Sequence, residues 1–288
     1  LCWVQYRSDA PVGGESEIVC AQGGAPTFSA PVAVTHDSYA DAEPSVALAA
    51  ANTPVVSWWR HDDPNRPSTA TLDATFLSHG EVMASAFQPD TAQWSSPVVL
   101  GTPGLLDYAP VTAGNASNGA LVAWRSNPAN QLGGFGDTAD RVNVVLYNPA
   151  TKSWSSAETV YTTRGLLDVA AAYGPNEAAL LYAIDQDGNA ATTNDTELFA
   201  QRLVGGVWQP VVRLTNNAVA DHEPKLAYRA DGTPLLVWLQ QAANGQIFLG
   251  TQEGWNGAPT LTLMDGSPAP AALQSLTLNS AGDALVLW

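Results

Sequence analysis

Positive charge is what this chain most lacks: 11 Lys and Arg stand against 27 Asp and Glu, a net charge of −16, and the only lysines are Lys152 and Lys225. A surface so short of cations cannot hold a polyanion, which excludes nucleic acid and anionic membrane surfaces as partners. A divalent cation, a neutral sugar or a basic protein suits the field better. Long apolar runs are also missing. No stretch of 18 apolar residues occurs, so there is no membrane span, and no basic segment followed by an apolar one opens the chain as a leader would. The first residue is Leu rather than Met, which implies a chain cut from a longer precursor. Helical periodicity is absent except over Thr69 to Ser78. The histidines His36, His61, His79 and His222 lack metal-ligand spacing, and no Ser-His-Asp or Cys-His set can be assembled.

What is present is β-strand and turn. With 45% hydrophobic residues and ten Trp, 288 residues can fill a sizeable core. The two cysteines fall in strand-like segments, LCWVQY and SEIVCAQ, joined by a turn-rich SDAPVGG. A hairpin centred near Pro11 sets Cys2 opposite Cys20, Val4 opposite Ile18 and Tyr6 opposite Ser16. A cross-strand disulfide fits that register and points to an oxidising, exported setting; two buried thiols are the alternative. Asn115-Ala-Ser117 and Asn194-Asp-Thr196 would accept glycans in a host that glycosylates.

The strongest signal is self-similarity. Apolar runs end in an aromatic at Trp3, Trp58, Trp124, Tyr182, Trp238 and Trp288, at spacings of 55, 66, 58, 56 and 50. A second aromatic marks each unit at Phe28, Trp94, Trp154, Trp208 and Trp255. An Asp precedes the next unit at Asp41, Asp107, Asp168 and Asp221. Each unit reads as four short strands; in the second these run roughly 44–50, 54–60, 82–87 and 97–101, and in the fourth 224–229, 234–240, 246–250 and 260–264. Ala-Asp-Gly-Thr at 230–233 is a hairpin turn. Such units side by side spell an all-β fold, a β-propeller of four-stranded blades with five repeats, either a five-bladed ring or part of a larger propeller. A stacked β-solenoid is the structural alternative. The expected single domain, 1–288, divides into units 273–288 with 1–35, 43–101, 108–161, 168–215 and 222–264. A closed ring requires Leu1–Tyr6 to share one blade with residues 273–288.

Length variation concentrates between the second and third strands, on the rim that also carries the repeated acids. Function in repeat proteins favours such a face. The candidate ligand-binding residues are therefore Asp41, Asp107, Asp168 and Asp221, with Arg60 and Arg125, which follow the second-strand aromatic as Arg7 does. A repeated Asp also has a structural reading, accepting backbone N–H groups in the turn before the first strand. Asp185-Gln-Asp187-Gly-Asn189 alternates oxygen ligands like the opening of a calcium loop, making Asp185, Asp187 and Asn189 the candidate metal ligands and calcium the one cofactor to test. The loop departs from an EF-hand because Gly188 comes too early and position twelve is Thr196.

The fourth unit, DTELFAQRLVGGVWQPVVRLTNNAVADHEPKLAYRADGTPLLVWLQ, resembles the sialidase-like repeats of bacterial secreted and surface proteins. The resemblance implies a propeller, export and contact with glycans. The sialidase Asp box, Ser-x-Asp-x-Gly-x-x-Trp, is absent from every unit, although Trp94, Trp154, Trp208 and Trp255 stand where its Trp would fall. A weaker resemblance to kelch repeats rests on YNPATKSW (147–154) after Gly133-Gly134. The main expectation is a secreted or cell-surface propeller that binds glycans or a surface protein without catalysis, for adhesion or assembly, including oligomers. The alternative is a glycoside hydrolase or lyase of sialidase-like or furanosidase-like type that uses rim carboxylates, which need only the right separation.

Overall fold

The computed structural model describes residues 1–6, 16–24, 27–63, 72–133, 137–189, 191–192, 194–242, 244–264 and 272–288. Arg7, the turn at Pro11 and Gly134 of the kelch-like pair lie outside them. The described residues form two compact units, Leu1–Leu132 with Arg141–Tyr161, and Gly133–Asp140 with Thr162–Trp288.

In the first unit, Cys2–Tyr6 pairs antiparallel with Ser16–Cys20 in the expected register, Cys2 facing Cys20, Val4 facing Ile18 and Tyr6 facing Ser16. Cys2 and Cys20 form a disulfide. Ser16 then makes a single parallel bridge to Ala40, which opens the next blade: Ala40–Ala49, Thr53–His61 and Gly80–Gln88, with Val98–Val99 beside the last. A second sheet orders Leu106–Gly114, Ala120–Asn127, Asp140–Asn148 and Ser153–Trp154, with Glu158–Thr163 also on the third strand. The only α-helix among the described residues, Ala74–Leu77, falls inside the sequence stretch that carried helical periodicity.

The second unit repeats the plan. Leu166–Tyr173, Glu177–Asp185, Thr196–Val204 and Val207–Trp208 form one sheet, and Ala220–Tyr228, Pro234–Gln241, Ile247–Glu253 and Thr260–Leu263 another. Ser275–Leu278 pairs with Ala284–Leu287. Antiparallel four-stranded sheets of this order are propeller blades, and the fold is an all-β propeller.

The second-strand aromatics are the core. Trp58, Trp124, Trp238 and Tyr182 are all fully buried. Trp124 packs with Val82 and Ala84 of the preceding blade, and Trp238 with Leu181 and Leu198 of the blade before it, so each indole cements neighbouring sheets. Truncating one to Ala removes about 3–5 kcal/mol.

Three of the first strands, Ala40–Ala49, Leu106–Gly114 and Ala220–Tyr228, carry a bulge where the sequence reads Asp-x-(Glu/Ala)-Pro. Glu43 and Pro44 both face Trp58; Ala109 and Pro110 face Trp124; Glu223 and Pro224 face Trp238. Glu43, Ala109 and Glu223 take positive φ, between 50 and 53°. A bulge absorbs an extra residue, tolerates a proline without an N–H and re-aims the side chain before it. The repeated Asp lies two residues before the positive-φ position.

Candidate functional site

The bulge turns three of the four repeated acids inward. Asp41 is 0% exposed, Asp107 2% and Asp221 0%. Each accepts the indole N–H of the second-strand Trp seventeen residues later: Trp58 to Asp41 at 2.8 Å, Trp124 to Asp107 at 2.7 Å, Trp238 to Asp221 at 2.8 Å. Asp41 also takes both arms of Arg60, from Nε at 2.8 Å and Nη2 at 3.0 Å. Asp107 takes the backbone N–H of Thr102 at 2.8 Å, and Asp221 the side-chain amides of Gln240 at 2.9 Å and Asn217 at 2.7 Å. Gly101 allows the approach to Asp107, since a Cβ there would fall 2.0 Å from Oδ2.

Asp168 stands apart from the other three. It faces Ala183, one place past the aromatic, whereas the others face the residue two places past it; that position opposite Ile184 belongs to Leu166. Tyr182, which replaces Trp here, donates its hydroxyl to Gln201 at 2.6 Å. With no indole to receive, the acid is not required. Asp168 is half-buried, and its Oδ1 accepts the N–H of Val169.

Arg60 and Arg125 are both buried and lie over tyrosines, Arg60 at 4.9 Å from the Tyr39 ring and Arg125 at 4.5 Å from the Tyr108 ring. Burial lowers the affinity of the Arg60 guanidinium for its proton, but Asp41 and Asp37 outweigh it and the net effect is upward. Among the described residues no cation forms an ion pair with Asp107. Burial above all pushes its carboxyl up to about 6, against the bonds from Thr102 and Trp124 and helped by the charge of Glu81.

A cleft of about 220 Å³ opens at the bulge end of the first unit. Trp59, Phe76 and Tyr108 line it, with Leu72, Leu106 and Glu43. Leu72, Phe76 and Leu77 of the second-to-third-strand connection build one wall. Asp73 caps the short helix by accepting the Phe76 N–H at 2.9 Å, and the helix carries Phe76 against His61, with ring centroids 4.1 Å apart. His79, 5.6 Å from His61, bonds Asp62 at 2.6 Å. Glu43 is an exposed residue, yet partial burial raises its carboxyl above its ordinary value. Burial does the same to nearby Glu81, reinforced by Asp62. An aromatic-walled cleft with one acid of raised proton affinity can stack a flat apolar ligand face and exchange a proton with it. A larger hollow of about 310 Å³ beside the disulfide has no ionisable side chain among the described residues of its lining. None of the cleft residues stood out by spacing; the doubled aromatic Trp58-Trp59 and the Glu43-Pro44 step were the available signals.

In the second unit the loop after Glu177–Asp185 brings Asp185 and Asp187 together with Asp195. Asn189 contributes its backbone N–H to Asp185 at 3.2 Å and to Asp187 at 2.8 Å, while its side-chain oxygen accepts from Ala191. Burial and then the neighbouring Asp195 charge raise the Asp185 carboxyl.

No family model and no curated protein matches the sequence. Solved structures do. A Hadza microbial sialidase is similar at TM-score 0.50 and 11% identity over 90% of this chain and 54% of its own. A Trypanosoma rangeli sialidase is similar at 0.50 and 11% over 85% and 43%. An ulvan lyase, described as a new family of polysaccharide lyase, is similar at 0.56 and 10% over 87% and 61%. The chain thus spans about half the length of the sialidases it matches. Identities this low speak to fold alone, and the fold is that of a sialidase-like β-propeller.

Proposed function

We propose that the chain is the propeller of an exported carbohydrate-active protein of the glycoside hydrolase or lyase type, and that the cleft of Trp59, Phe76 and Tyr108 holds the sugar with Glu43 as its proton-exchanging group. The observation that carries this reading is the combination in one cleft of three aromatic rings with a carboxyl whose proton affinity is raised. Rings stack on the apolar faces of sugars, and a raised carboxyl is what glycosidic general acids use. The propeller fold shared with sialidases and an ulvan lyase agrees, as does the disulfide, which favours an oxidising compartment.

The second reading, a glycan-binding or adhesive module without catalysis, is favoured by the fate of the rim acids. Asp41, Asp107 and Asp221 are engaged inside their blades, which leaves Glu43 as the one acid lining the cleft. A polysaccharide panel read by reducing ends for hydrolysis and by ultraviolet absorbance of unsaturated uronate for elimination separates the two. Trp59→Ala should abolish sugar binding. Glu43→Gln should lower turnover by at least about a hundredfold while binding survives. Binding without turnover in the parent protein would favour the second reading, and binding untouched by Trp59→Ala would remove the cleft from both.

A further inference from the structure

Two groups of three acids among the described residues place carboxylate oxygens within 4.8 Å of one another: Glu17, Asp37 and Asp41, and Asp185, Asp187 and Asp195. The first already contains its cation. Arg60 bonds Asp37 at 2.6 Å and Asp41 at 2.8 Å, and Glu17 is held by the Thr35 hydroxyl at 2.6 Å and the Asp37 N–H at 3.1 Å. The second group has none. Among the described residues no Lys, Arg or His forms an ion pair with Asp185, Asp187 or Asp195.

The hydrogen bonds of the second group leave a gap of defined chemistry. Asp185 is 2% exposed; its Oδ1 accepts from Gly188 at 2.7 Å and Asn189 at 3.2 Å, but its Oδ2 is buried without any partner. Asp195 gives Oδ2 to the Asp187 N–H at 3.0 Å, and its Oδ1 is buried without a partner. The Thr196 hydroxyl is a third buried atom in that state, on the residue that faces Asp185 across the ladder. A buried carboxylate oxygen left bare costs several kcal/mol unless a cation or proton meets it. Asp185, Asp195 and Thr196 thus each keep one buried oxygen without a partner, and carboxylate oxygens of Asp185 and Asp195 lie within 4.8 Å of an oxygen of the exposed Asp187.

We propose that Asp185, Asp187 and Asp195, with the Thr196 hydroxyl, bind a calcium ion that ties Asp187 and Asp195 to the ends of the strands Glu177–Asp185 and Thr196–Val204. All donors are hard oxygens, as calcium requires, and an irregular loop suits its variable coordination better than the strict octahedron of magnesium. The inference is independent of the sugar cleft, which lies in the other unit.

The test is calcium added to chelator-stripped full chain, followed by calorimetric titration and melting temperature. Wild type should bind with a dissociation constant at or below about 10⁻³ M, in the range of extracellular calcium modules, and melt at a higher temperature with millimolar calcium than with EDTA. Asp195→Asn and, separately, Asp187→Asn at the exposed position should each weaken binding by at least about tenfold. Identical melting curves and no binding heat would overturn the proposal. So would calcium binding unchanged in both variants, or a magnesium response as large as that of calcium.

Discussion

The two acidic triads show one problem met in different ways. Around Asp41 the chain supplies its own cation, and a guanidinium two residues past the core Trp is locked against two carboxylates. Around Asp185 no described residue supplies one, and the arrangement leaves bare oxygens instead. The difference lies at the end of the second strand: Arg60 returns to its own blade, whereas the Asp185 strand runs straight into a loop rich in acids and amides. A built-in cation makes stability indifferent to the medium, while an external one makes it conditional.

The sharpest way to break this comparison is Arg60→Leu. It strands Asp41, 0% exposed, beside Asp37, and should cost about 3–5 kcal/mol in urea unfolding. In calcium-free buffer, Asp195→Asn should cost far less, because it relieves repulsion instead of exposing it. Similar losses for the two would mean that the Asp185 triad is already compensated in the metal-free chain.

The disulfide gives a second asymmetry. Cys2 and Cys20 close a short loop in the first unit only, so reduction or Cys20→Ser should remove about 3 kcal/mol. Hydrogen exchange should locate the loss in the strands Cys2–Tyr6 and Ser16–Cys20, with the sheet of Glu177–Asp185 unaffected. Uniform loss of protection would show that the two units unfold as one.

The smallest effect concerns Asp107, the indole acceptor that no cation or side-chain amide among the described residues meets. Its folded value, about 6, lies above its unfolded one, so the folded state binds the proton more tightly. That contribution is complete below pH about 4 and is lost as pH rises through about 6, a decline of roughly 2–3 kcal/mol across the window. Asp107→Asn should flatten this part of the stability-versus-pH profile. A wild-type profile that rises between pH 4 and 6, with the same slope in the variant, would count against the assignment.

Much of the fold was legible because β-structure writes itself in local patterns. The hairpin register around Pro11 comes from two-residue alternation and a turn, and Cys2 faces Cys20 as that geometry demands. The strands expected at 54–60 and 234–240 are present as Thr53–His61 and Pro234–Gln241. The candidate site was less legible. Asp41, Asp107 and Asp221 lie at a constant seventeen residues before a Trp, which marks a fixed contact, yet only the bulge reveals that the contact is an indole N–H. Asp168 lies fourteen residues before Tyr182, and this broken spacing was the visible sign that it is not their equivalent. Asp195 joins Asp185 because the loop doubles back, which no spacing within Asp185–Asn189 encodes.

What the sequence by itself determined is the repeat, the four-stranded unit, the disulfide register and the acidic character, since each depends on residues near one another in the chain or on composition alone. The tertiary structure decided where charge meets its partner. Whether a carboxylate ends beside an indole, a guanidinium or two bare oxygens depends on bulges and loop returns that join residues tens of positions apart. Those returns set Glu43 beside Trp59 and Tyr108, and they gave Asp41 its cation and left Asp185 without one among the described residues.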